Sequence, residues 1–500
     1  MINNLLVILV AVICFIQLIL YIWSKRHMYL LSLKLPGPIS LPFIGCAYKF
    51  LFIETEDLFK EILSVINSYP KNPVIRFWLG PNLFLIFKDP VHVEKILIST
   101  KVIAKADLLK YLKTFAGEGL ITGSGIEWKV ARKHIQPLYG QKFVTESIGI
   151  SNKHINRFME KLMERVDKPK SCIHHAIHLC VADIIGEAIL GVEIGAQKGR
   201  NKEFIDASIK YYDVVYPRLV KPWLQNDFIF SMSHLKDKTD VYKATMNKFM
   251  DSVVENTRRI KKTGKSVVID NFKPSINDLD KIFMENSKVL NYQNYLHNLI
   301  TLYAASEDTV AQIAAATCFC LGMYPECQEK ATEEIRLLVG ANKTNITFDD
   351  VIKLDYLDKC VKEALRLFPI APFIARKVVS DFQIDKWTLP SNVSILISIF
   401  SLHLNPKEWE HPMEFYPEHF DFEAVEKRHP YSFIPFSAGP RGCIGKLYAQ
   451  TSIKVLLVNI LQRFKIEADG KYVDIYKHLR ADISVRSKIG FPVKLTRRKL

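Results

Sequence analysis

The chain has 500 residues, of which 49% are hydrophobic and 24% charged, and its formal net charge is +16. These proportions are typical of a folded globular protein and exclude a disordered, collagen-like or low-complexity chain. The positive charge fits either a solvated basic surface or a surface that attracts anionic lipids or an acidic partner protein. We recognise no nucleic-acid-binding module and expect no nucleic-acid partner. The nine cysteines are odd in number and scattered, which indicates a reducing compartment.

The segment 1–24 contains no Lys, Arg, Asp or Glu, and 5–23 is an apolar run interrupted by Cys14 and Gln17. Such a run is long enough to cross the ~30 Å core of a bilayer as a helix. A cleaved signal peptide is the alternative, but it would need a basic start and a small-residue cleavage site. Because Lys25-Arg26-His27 follows the run, we predict an uncleaved anchor with the rest of the chain in the cytosol.

The basic cluster is followed by Leu35-Pro36-Gly37-Pro38, which predicts a hinge because proline blocks helix continuation. No Pro/Ser/Gly-rich linker interrupts the interior. We therefore divide the chain into an anchor at 1–24, a hinge at 25–45 and a single domain at 46–500. Strands are predicted at 74–79 and 82–87. Under this topology the three N-x-S/T sequences stay unglycosylated; they begin at Asn342, Asn345 and Asn392.

Two pairs of residues spaced four apart follow. Trp128 and Arg132 share a helix face, and by themselves they fit a surface cation over an aromatic ring. His174 and His178 form either a metal-binding pair or part of a core helix. No acidic ligand pattern accompanies the histidines, so we expect a core helix.

The segment 289–321 has no Gly or Pro and predicts a central helix about 50 Å long. Its only carboxylates are Glu307 and Asp308, which a second membrane span would have to bury at high cost. Asp308 and Thr309 are either a solvated acid beside a back-bonded hydroxyl, or an acid–alcohol pair that holds water and passes protons. Further along, Glu363 and Arg366 stand three apart in an apolar helix, which predicts a buried pair that fixes geometry more than stability.

The most specific stretch is 433–445, where glycines and prolines surround Cys443. Gly439 and Gly442 are expected to adopt backbone angles that a Cβ forbids, and the following helix start is expected to favour the thiolate. A zinc or iron–sulfur site fails because the nearest preceding cysteine is Cys360 and none follows. A catalytic thiol stays open, but a lone thiolate in an aromatic loop suits a metal that brings its other ligands, as haem does. Gly445 leaves room for such a flat group.

The loop resembles the haem-binding signature of the cytochromes P-450, F-x-x-G-x-R-x-C-x-G, at each fixed position. The matching residues are Phe436, Gly439, Arg441, Cys443 and Gly445. The resemblance extends from Pro36 to the end of the chain in the family's order and spacing. It implies a mostly α fold with a small β-rich lobe, and haem b whose axial iron ligand is Cys443.

The resemblance also implies roles for residues elsewhere. Those that hold the haem propionates would be Trp128, Arg132, Arg376 and Arg441. Asp308 and Thr309 would deliver protons for oxygen activation. Glu363, Arg366 and His419 would form the scaffold below the haem, although the family normally has Arg at 419. Two further departures lie in the central helix, where Ser306 replaces Gly and Val310 replaces a second Thr.

The segment Arg218-Leu219-Val220-Lys221-Pro222-Trp223-Leu224-Gln225-Asn226-Asp227 resembles family 4 of the cytochromes P-450, including its insect members. Many members of that family carry a glutamate that esterifies the haem, but here the position is Ala305. We therefore predict haem that is not covalently attached. The residues expected to line the substrate pocket are Phe115, Trp223, Ala305, Ile370 and Ile374.

The implied function is that of a monomeric monooxygenase of the endoplasmic reticulum membrane that acts on an apolar substrate such as a fatty acid, a lipid hormone or pheromone, or a xenobiotic. NADPH–cytochrome P-450 reductase is the expected electron donor, with cytochrome b5 as a second candidate. One alternative is a reductase-independent isomerase or dehydratase, whose relatives tend to lose the acid–alcohol pair that this chain keeps. Another is a non-catalytic haem protein, which the departures at 306 and 419 favour slightly.

Overall fold

A computed structural model describes residues 2–41 and 44–498. These residues form a mostly helical body with several small β-sheets. The α-helices, in chain order, are α1 Ile2–Ser24, α2 Arg26–Leu33, α3 Leu58–Asn67, α4 Pro90–Ile98, α5 Lys113–Ala116, α6 Gly125–Ile135, α7 Gln141–Met163, α8 His174–Ile185, α9 Lys202–Val220, α10 Asp227–Ser231, α11 His234–Lys262, α12 Ile276–Glu285, α13 Tyr292–Met323, α14 Pro325–Leu338, α15 Phe348–Ile352, α16 Asp355–Leu367, α17 Ile399–His403, α18 Phe422–Lys427, α19 Lys446–Arg463 and α20 Tyr472–Tyr476. The strands are β1 Val74–Leu79, β2 Asn82–Phe87, β3 Ser171–Cys172, β4 Phe373–Lys377, β5 Phe382–Ile384, β6 Trp387–Leu389, β7 Ser394–Ser398, β8 Phe464–Glu467, β9 Leu479–Ala481, β10 Val485–Ser487 and β11 Pro492–Arg497.

The largest sheet has the strand order β1-β2-β7-β4 and forms a lobe with its own apolar core. β1 and β2 are the two strands predicted from sequence, and their bounds are confirmed. They pair antiparallel through the turn at Gly80, whereas β2 pairs parallel with β7, and β4 pairs antiparallel with β7. This arrangement brings β4, late in the chain, beside the first strands.

The second and larger core is built around α13, the predicted central helix. α13 begins at the N-cap Asn291, whose side chain and that of Asn294 each accept the other's backbone N–H. It ends at Met323, just before Pro325 starts α14. α13 packs against α8, α16 and α19, and most of its side chains are buried. It therefore crosses the whole helical body, as its composition predicted.

The helix expected directly after the cysteine loop is observed as α19, Lys446–Arg463, and Phe464 opens β8. α19 packs against α7, α13 and α16. Because the cysteine loop leads directly into a helix packed on α13, the loop is held beside the central helix. The eight cysteines of the described chain whose side chains are placed are free thiols.

At the amino end, α1 carries exposed apolar side chains such as Leu20 and Trp23. Among the described residues, no helix reaches both the length and the hydropathy that a membrane crossing requires. The segment after α1 packs on the large sheet, because the Arg76 amide donates to the Pro36 carbonyl at 2.8 Å and Tyr29 stacks on Trp78. Residues 42 and 43 of the predicted hinge lie outside the described residues.

Candidate active site

The loop before α19 folds back on itself and presents Cys443 to the interior. The Cys443 amide donates to the Phe436 carbonyl at 2.9 Å. Gly439 has a φ of +67°, and a Cβ there would overlap the Leu97 carbonyl oxygen, so glycine is required. Gly442 has an ordinary φ of −60°, so the expectation of a glycine-only conformation at that position is wrong. The tight fold of the loop thus depends on one glycine conformation and one backbone hydrogen bond.

The acidity of the Cys443 thiol differs from the sequence expectation. Burial raises the pKa of the thiol, and the Gly445 amide, Arg132 and Lys446 only partly offset this. The Gly445 amide at the helix start does favour the thiolate, as expected, but loss of water outweighs the amide and the two cations, so the net effect on the pKa is a rise. A free catalytic thiol fits poorly here. A metal cation in contact with the sulfur would supply the missing stabilisation.

Cys443 lines a cavity of about 290 Å³ between the cysteine loop and α13. The cavity walls are predominantly apolar. Residues of α13 that line it are Thr301, Leu302, Ala305, Ser306, Thr309, Val310 and Ile313. Ile370 and Ile374, two of the predicted pocket residues, line it from the segment after α16, and Ala305, a third, lies on α13. Phe436 and Gly445 line it beside the cysteine.

A cluster of cations lies at one edge of this cavity: Lys105, Arg132, Arg376 and Arg441. Lys105, Arg132 and Arg441 line the cavity, and burial together with Arg376, Arg441 and Arg132 lowers the pKa of Lys105 well below its usual value. Burial lowers the pKa of Arg376 to about 10 and, with Arg376 and Arg132 nearby, that of Arg441 to about 9. None of the four is ion-paired to a carboxylate within the described chain. Repelling cations held together in this way need an anion between them.

The hydrogen bonds of the cluster leave donors free. Arg132 Nη2 donates to the Gly442 carbonyl at 2.7 Å, and Arg441 Nε donates to the Ile103 carbonyl at 3.1 Å. Arg441 Nη1 is buried and has no hydrogen-bond partner among the described residues. An orphaned guanidinium nitrogen beside three other cations fits a group that carries carboxylates, as the haem propionates do. The residues present therefore fit haem.

Trp128 supports this cluster without donating to the same ligand. Its ring lies under the Arg441 guanidinium, 3.3 Å from the ring centroid. Its Nε1 donates to the Leu120 carbonyl at 3.2 Å, so the hydrogen bond that the family resemblance implies for a propionate is used within the protein. Trp128 thus orients Arg441 by stacking.

On the α13 side of the cavity, Thr309 Oγ1 donates to the Ala305 carbonyl at 2.7 Å. This is the local back-bond that threonine often makes in helices. The Ser306 and Val310 side chains also line the cavity, and α13 is continuous through them. The Ser306 hydroxyl therefore stands where the family usually has no side chain.

Asp308 does not line the cavity. Its two carboxylate oxygens lie 2.7 and 2.9 Å from Nη2 of Arg486 in β10, and both side chains are largely buried. The sequence suggested a solvated acid or a proton relay, and the structure adds a fixed cation partner. Glu307 is buried as well, with its Oε1 accepting from Ser208 Oγ at 3.2 Å.

The histidine pair of α8 lies on this same side of α13. His178 Nε2 is 3.3 Å from Glu307 Oε1. Burial lowers the pKa of His174 to about 4. Burial also lowers the pKa of His178 well below its usual value. Across the described residues, no group of three or more His, Cys, Asp or Glu side chains is arranged to hold a metal ion. The histidines are neutral core residues beside a buried acid.

The predicted scaffold pair is fully buried. Arg366 donates from Nη2 to Glu363 Oε1 at 2.7 Å and from Nε to Oε2 at 2.9 Å. His419 Nδ1 lies 3.1 Å from Glu363 Oε1, and His419 Nε2 accepts from the His411 amide, so Nδ1 carries the proton and donates. Burial alone would raise the pKa of Glu363, but Arg366 and His419 hold it below its usual value. Arg366 and His419 thus both stabilise the buried carboxylate of Glu363.

Two other predicted pocket residues are placed differently. Trp223 lies in a short 3₁₀ turn at 222–225 and is not among the cavity-lining residues. The side chain of Phe115 lies outside the described residues. The segment around Trp223 is held by Arg218, which donates to the Leu224 carbonyl at 3.1 Å, pairs with Asp227 and stacks on Phe230. The motif therefore closes the turn between α9 and α10.

Sequence reasoning missed Lys105, Arg486 and Arg428. Lys105 reaches the cation cluster because the neighbouring Ala104 carbonyl accepts from the Lys377 amide at 2.8 Å, alongside β4. Arg428 stacks on Trp409 and donates to the His419 carbonyl at 3.1 Å. None of the three belongs to a recognisable motif, and Lys105 and Arg486 act across a large sequence separation.

A cysteine thiol at an apolar cavity, beside cations that pair with no carboxylate among the described residues, gives the chemistry expected of a haem-thiolate protein. A family model described as Cytochrome P450 matches residues 35–488. Cytochrome P450 4c3 of Drosophila melanogaster is 30% identical over 505 residues, covering 97% of this chain and 93% of the relative. Cytochrome P450 4V2 of Rattus norvegicus is 30% identical over 470 residues, covering 92% and 89%, and Cytochrome P450 4c21 of Blattella germanica is 30% identical over 471, covering 93% and 94%.

The chain belongs to the cytochrome P450 family, and these relatives are numbered in its family 4, as the motifs predicted. It is a cytochrome P450 monooxygenase, an oxidoreductase, and its cofactor is haem with a cysteine thiolate ligand. The resemblance drawn from the sequence is confirmed.

Proposed function

We propose that this protein is a membrane-bound monooxygenase that inserts one oxygen atom of O₂ into an apolar substrate, with electrons from NADPH. The observation that carries the proposal is that Cys443 and Thr309 line one apolar cavity, with Ile370 and Ile374 completing its walls. Fatty acids, lipid hormones or pheromones, and xenobiotics are the candidate substrates, because the walls offer mainly apolar contact.

In this proposal the Cys443 sulfur would hold the haem iron, and Lys105, Arg132, Arg376 and Arg441 would hold the propionates. When bound, haem supplies the redox chemistry that activates O₂, and its thiolate ligand favours cleavage of the O–O bond. The protein's own part is to bind substrate, exclude water and deliver protons. When an apolar substrate fills the cavity, it displaces water. The loss of water strengthens the electrostatic interactions between the polar groups that line the cavity.

Proton delivery is assigned to Thr309 and Asp308. Thr309 Oγ1 donates a hydrogen bond to the Ala305 carbonyl and lines the cavity, so its oxygen stays free to accept a hydrogen bond from a proton donor. Asp308 is the neighbouring acid and can take a proton from solvent at a carboxylate oxygen. For the relay to run, the Thr309 hydroxyl would turn from the Ala305 carbonyl toward the cavity and pass its proton there, while its oxygen takes the proton from Asp308.

The same proposal includes the membrane topology of the chain and its partner proteins. We propose an anchor at 1–24, a hinge at 25–45 and a catalytic domain at 46–500, with the protein in the endoplasmic reticulum membrane. The apolar α1 and the charge order at 25–27 support this topology. NADPH–cytochrome P-450 reductase is the proposed partner, with cytochrome b5 as a second donor, and the enzyme is proposed to act as a monomer.

Turnover with purified reductase tests this proposal. Full-length protein, reductase and NADPH are incubated with panels of fatty acids, terpenoids and xenobiotics, and oxygenated product is measured against NADPH consumed. We expect a product that carries one atom of ¹⁸O from ¹⁸O₂. Rearrangement of a hydroperoxide without NADPH would instead favour the isomerase alternative, and stable haem with neither reaction would favour a haem carrier.

A further inference from the structure

Arg486 is a charged residue that the proposed mechanism does not yet use, although it contacts one of the proposed proton carriers. Its Nη2 lies 2.7 and 2.9 Å from the two carboxylate oxygens of Asp308. Burial alone would lower the pKa of Arg486, but the charges of Asp308 and Asp482 outweigh it and raise that pKa. Asp308 and Asp482 therefore stabilise the charged form of Arg486.

The position of Arg486 is set by a hairpin. β9 and β10 pair antiparallel and are joined by the turn at 482–484. Arg486 Nε donates to Ser484 Oγ at 3.1 Å and lies 3.2 Å from an Asp482 oxygen. These two contacts within the hairpin fix the guanidinium before it meets Asp308.

The hairpin is also attached to α13 at a second point. Gln312 Nε2 donates to the Val485 carbonyl at 2.8 Å. Asp308 and Gln312 are four residues apart and share one face of α13. Two neighbouring hairpin residues, Val485 and Arg486, are thus bound to two successive turns of the helix. This double attachment makes the hairpin a rigid support for the acid.

The support has a consequence for proton movement. Asp308 does not line the cavity, so its carboxyl must rotate to bring a proton to the neighbouring Thr309. A proton on Asp308 weakens its attraction to Arg486, and rotation also breaks the contact to Nη2. We infer that Arg486 is a positioning residue that holds Asp308 and controls delivery of protons to Thr309. This inference rests on the proposed monooxygenase function.

The test compares Arg486→Met, Arg486→Lys and the matched control Arg480→Met. Arg480 belongs to the same hairpin but lies 3.3 Å from Glu56, away from α13. Full-length haem-loaded protein is assayed with reductase for product per NADPH, hydrogen peroxide release and the solvent isotope effect on kcat. The spectral Kd for substrate is measured alongside.

We expect Arg486→Met to lower product per NADPH about ten-fold, since general acid–base groups contribute on the order of 10²–10⁴ and positioning accounts for part of that. Peroxide release and the solvent isotope effect should rise, while the substrate Kd stays unchanged. Arg486→Lys should recover part of the coupling, and Arg480→Met should behave as wild type. In thermal unfolding, the Tm losses of Arg486→Met and Asp308→Asn should be non-additive.

Three results would overturn the inference while leaving the monooxygenase function in place. They are normal coupling and isotope effect in Arg486→Met, equal losses in the Arg480→Met control, and additive Tm losses with Asp308→Asn. A wild-type protein that makes no product with reductase and NADPH would overturn the inference together with the proposed function.

Discussion

Replacing Glu307 tests whether the buried polar side chains of α13 are shielded from water, as their packing indicates. Burial and the neighbouring charge of Asp308 raise the pKa of Glu307 to about 8, from an ordinary value of 4.5. The carboxyl is therefore protonated at neutral pH, near His178 and Ser208. Glu307→Gln keeps the shape and the hydrogen-bonding groups but removes the titration.

The sign of the effect follows from linkage. Because the folded-state pKa lies above the unfolded one, the contribution of Glu307 is fully present below pH 4.5 and is lost as pH rises through about 8. The difference spans about 3.5 pH units, from 4.5 to about 8, and each unit corresponds to about 1.4 kcal/mol. The wild-type protein thus loses at most about 5 kcal/mol over this window, and Glu307→Gln does not.

The assay is thermal unfolding of full-length haem-loaded protein at pH 5, 7 and 8.5. For a chain of this length, 1 kcal/mol corresponds to a Tm shift of about 1–2 °C. We expect Glu307→Gln to match wild type at pH 5 and to exceed its Tm by about 3–8 °C at pH 8.5. Glu423→Gln, at an exposed position on α18, is the control and should show no such divergence. A Tm difference that is constant with pH would refute the reasoning.

Three further predictions concern the cofactor site and its scaffold. Lys105→Met should weaken haem retention about ten-fold or more in a transfer assay to apomyoglobin, since a charge-assisted contact is lost. The control is Lys101→Met, at an exposed neighbouring position. Equal haem retention in the two variants would contradict the role of Lys105. His419→Arg should lower Tm by a few °C without improving haem retention, because Glu363 is already neutralised; improved retention would contradict the charge balance. Acidic organic extraction should remove the haem completely, because Ala305 cannot form an ester, and haem left on the protein would contradict this.

The sequence was sufficient for features that depend on neighbours along the chain. Local periodicity, and the Gly and Pro residues that end an element, predict three features. These are the bounds of β1 and β2, the length of α13 and the helix after Cys443. The Glu363–Arg366 pair was predicted to be buried because its helix is apolar on both sides, and it is. The family followed from the fixed spacing around Cys443.

Features that depend on distant segments were not predictable. Lys105 joins the cation cluster through a bridge to β4, and Arg486 meets Asp308 across 178 residues. The direction of the Cys443 pKa was missed because local amides were considered without the desolvation that the whole fold imposes. The hydrogen bond from Trp128 Nε1 to the Leu120 carbonyl and the stacking of Arg441 on the Trp128 ring were not predicted either.

The central claim is that Cys443 provides a thiolate ligand to haem in the cavity beside α13. The most direct measurement is the absorption spectrum of the reduced, CO-treated full-length protein, compared with that of Cys443→Ser. We expect a band at about 450 nm in the wild type that is lost in the variant, because the thiolate ligand sets that position. A wild-type band at about 420 nm, or a band at about 450 nm that survives the substitution, would contradict it.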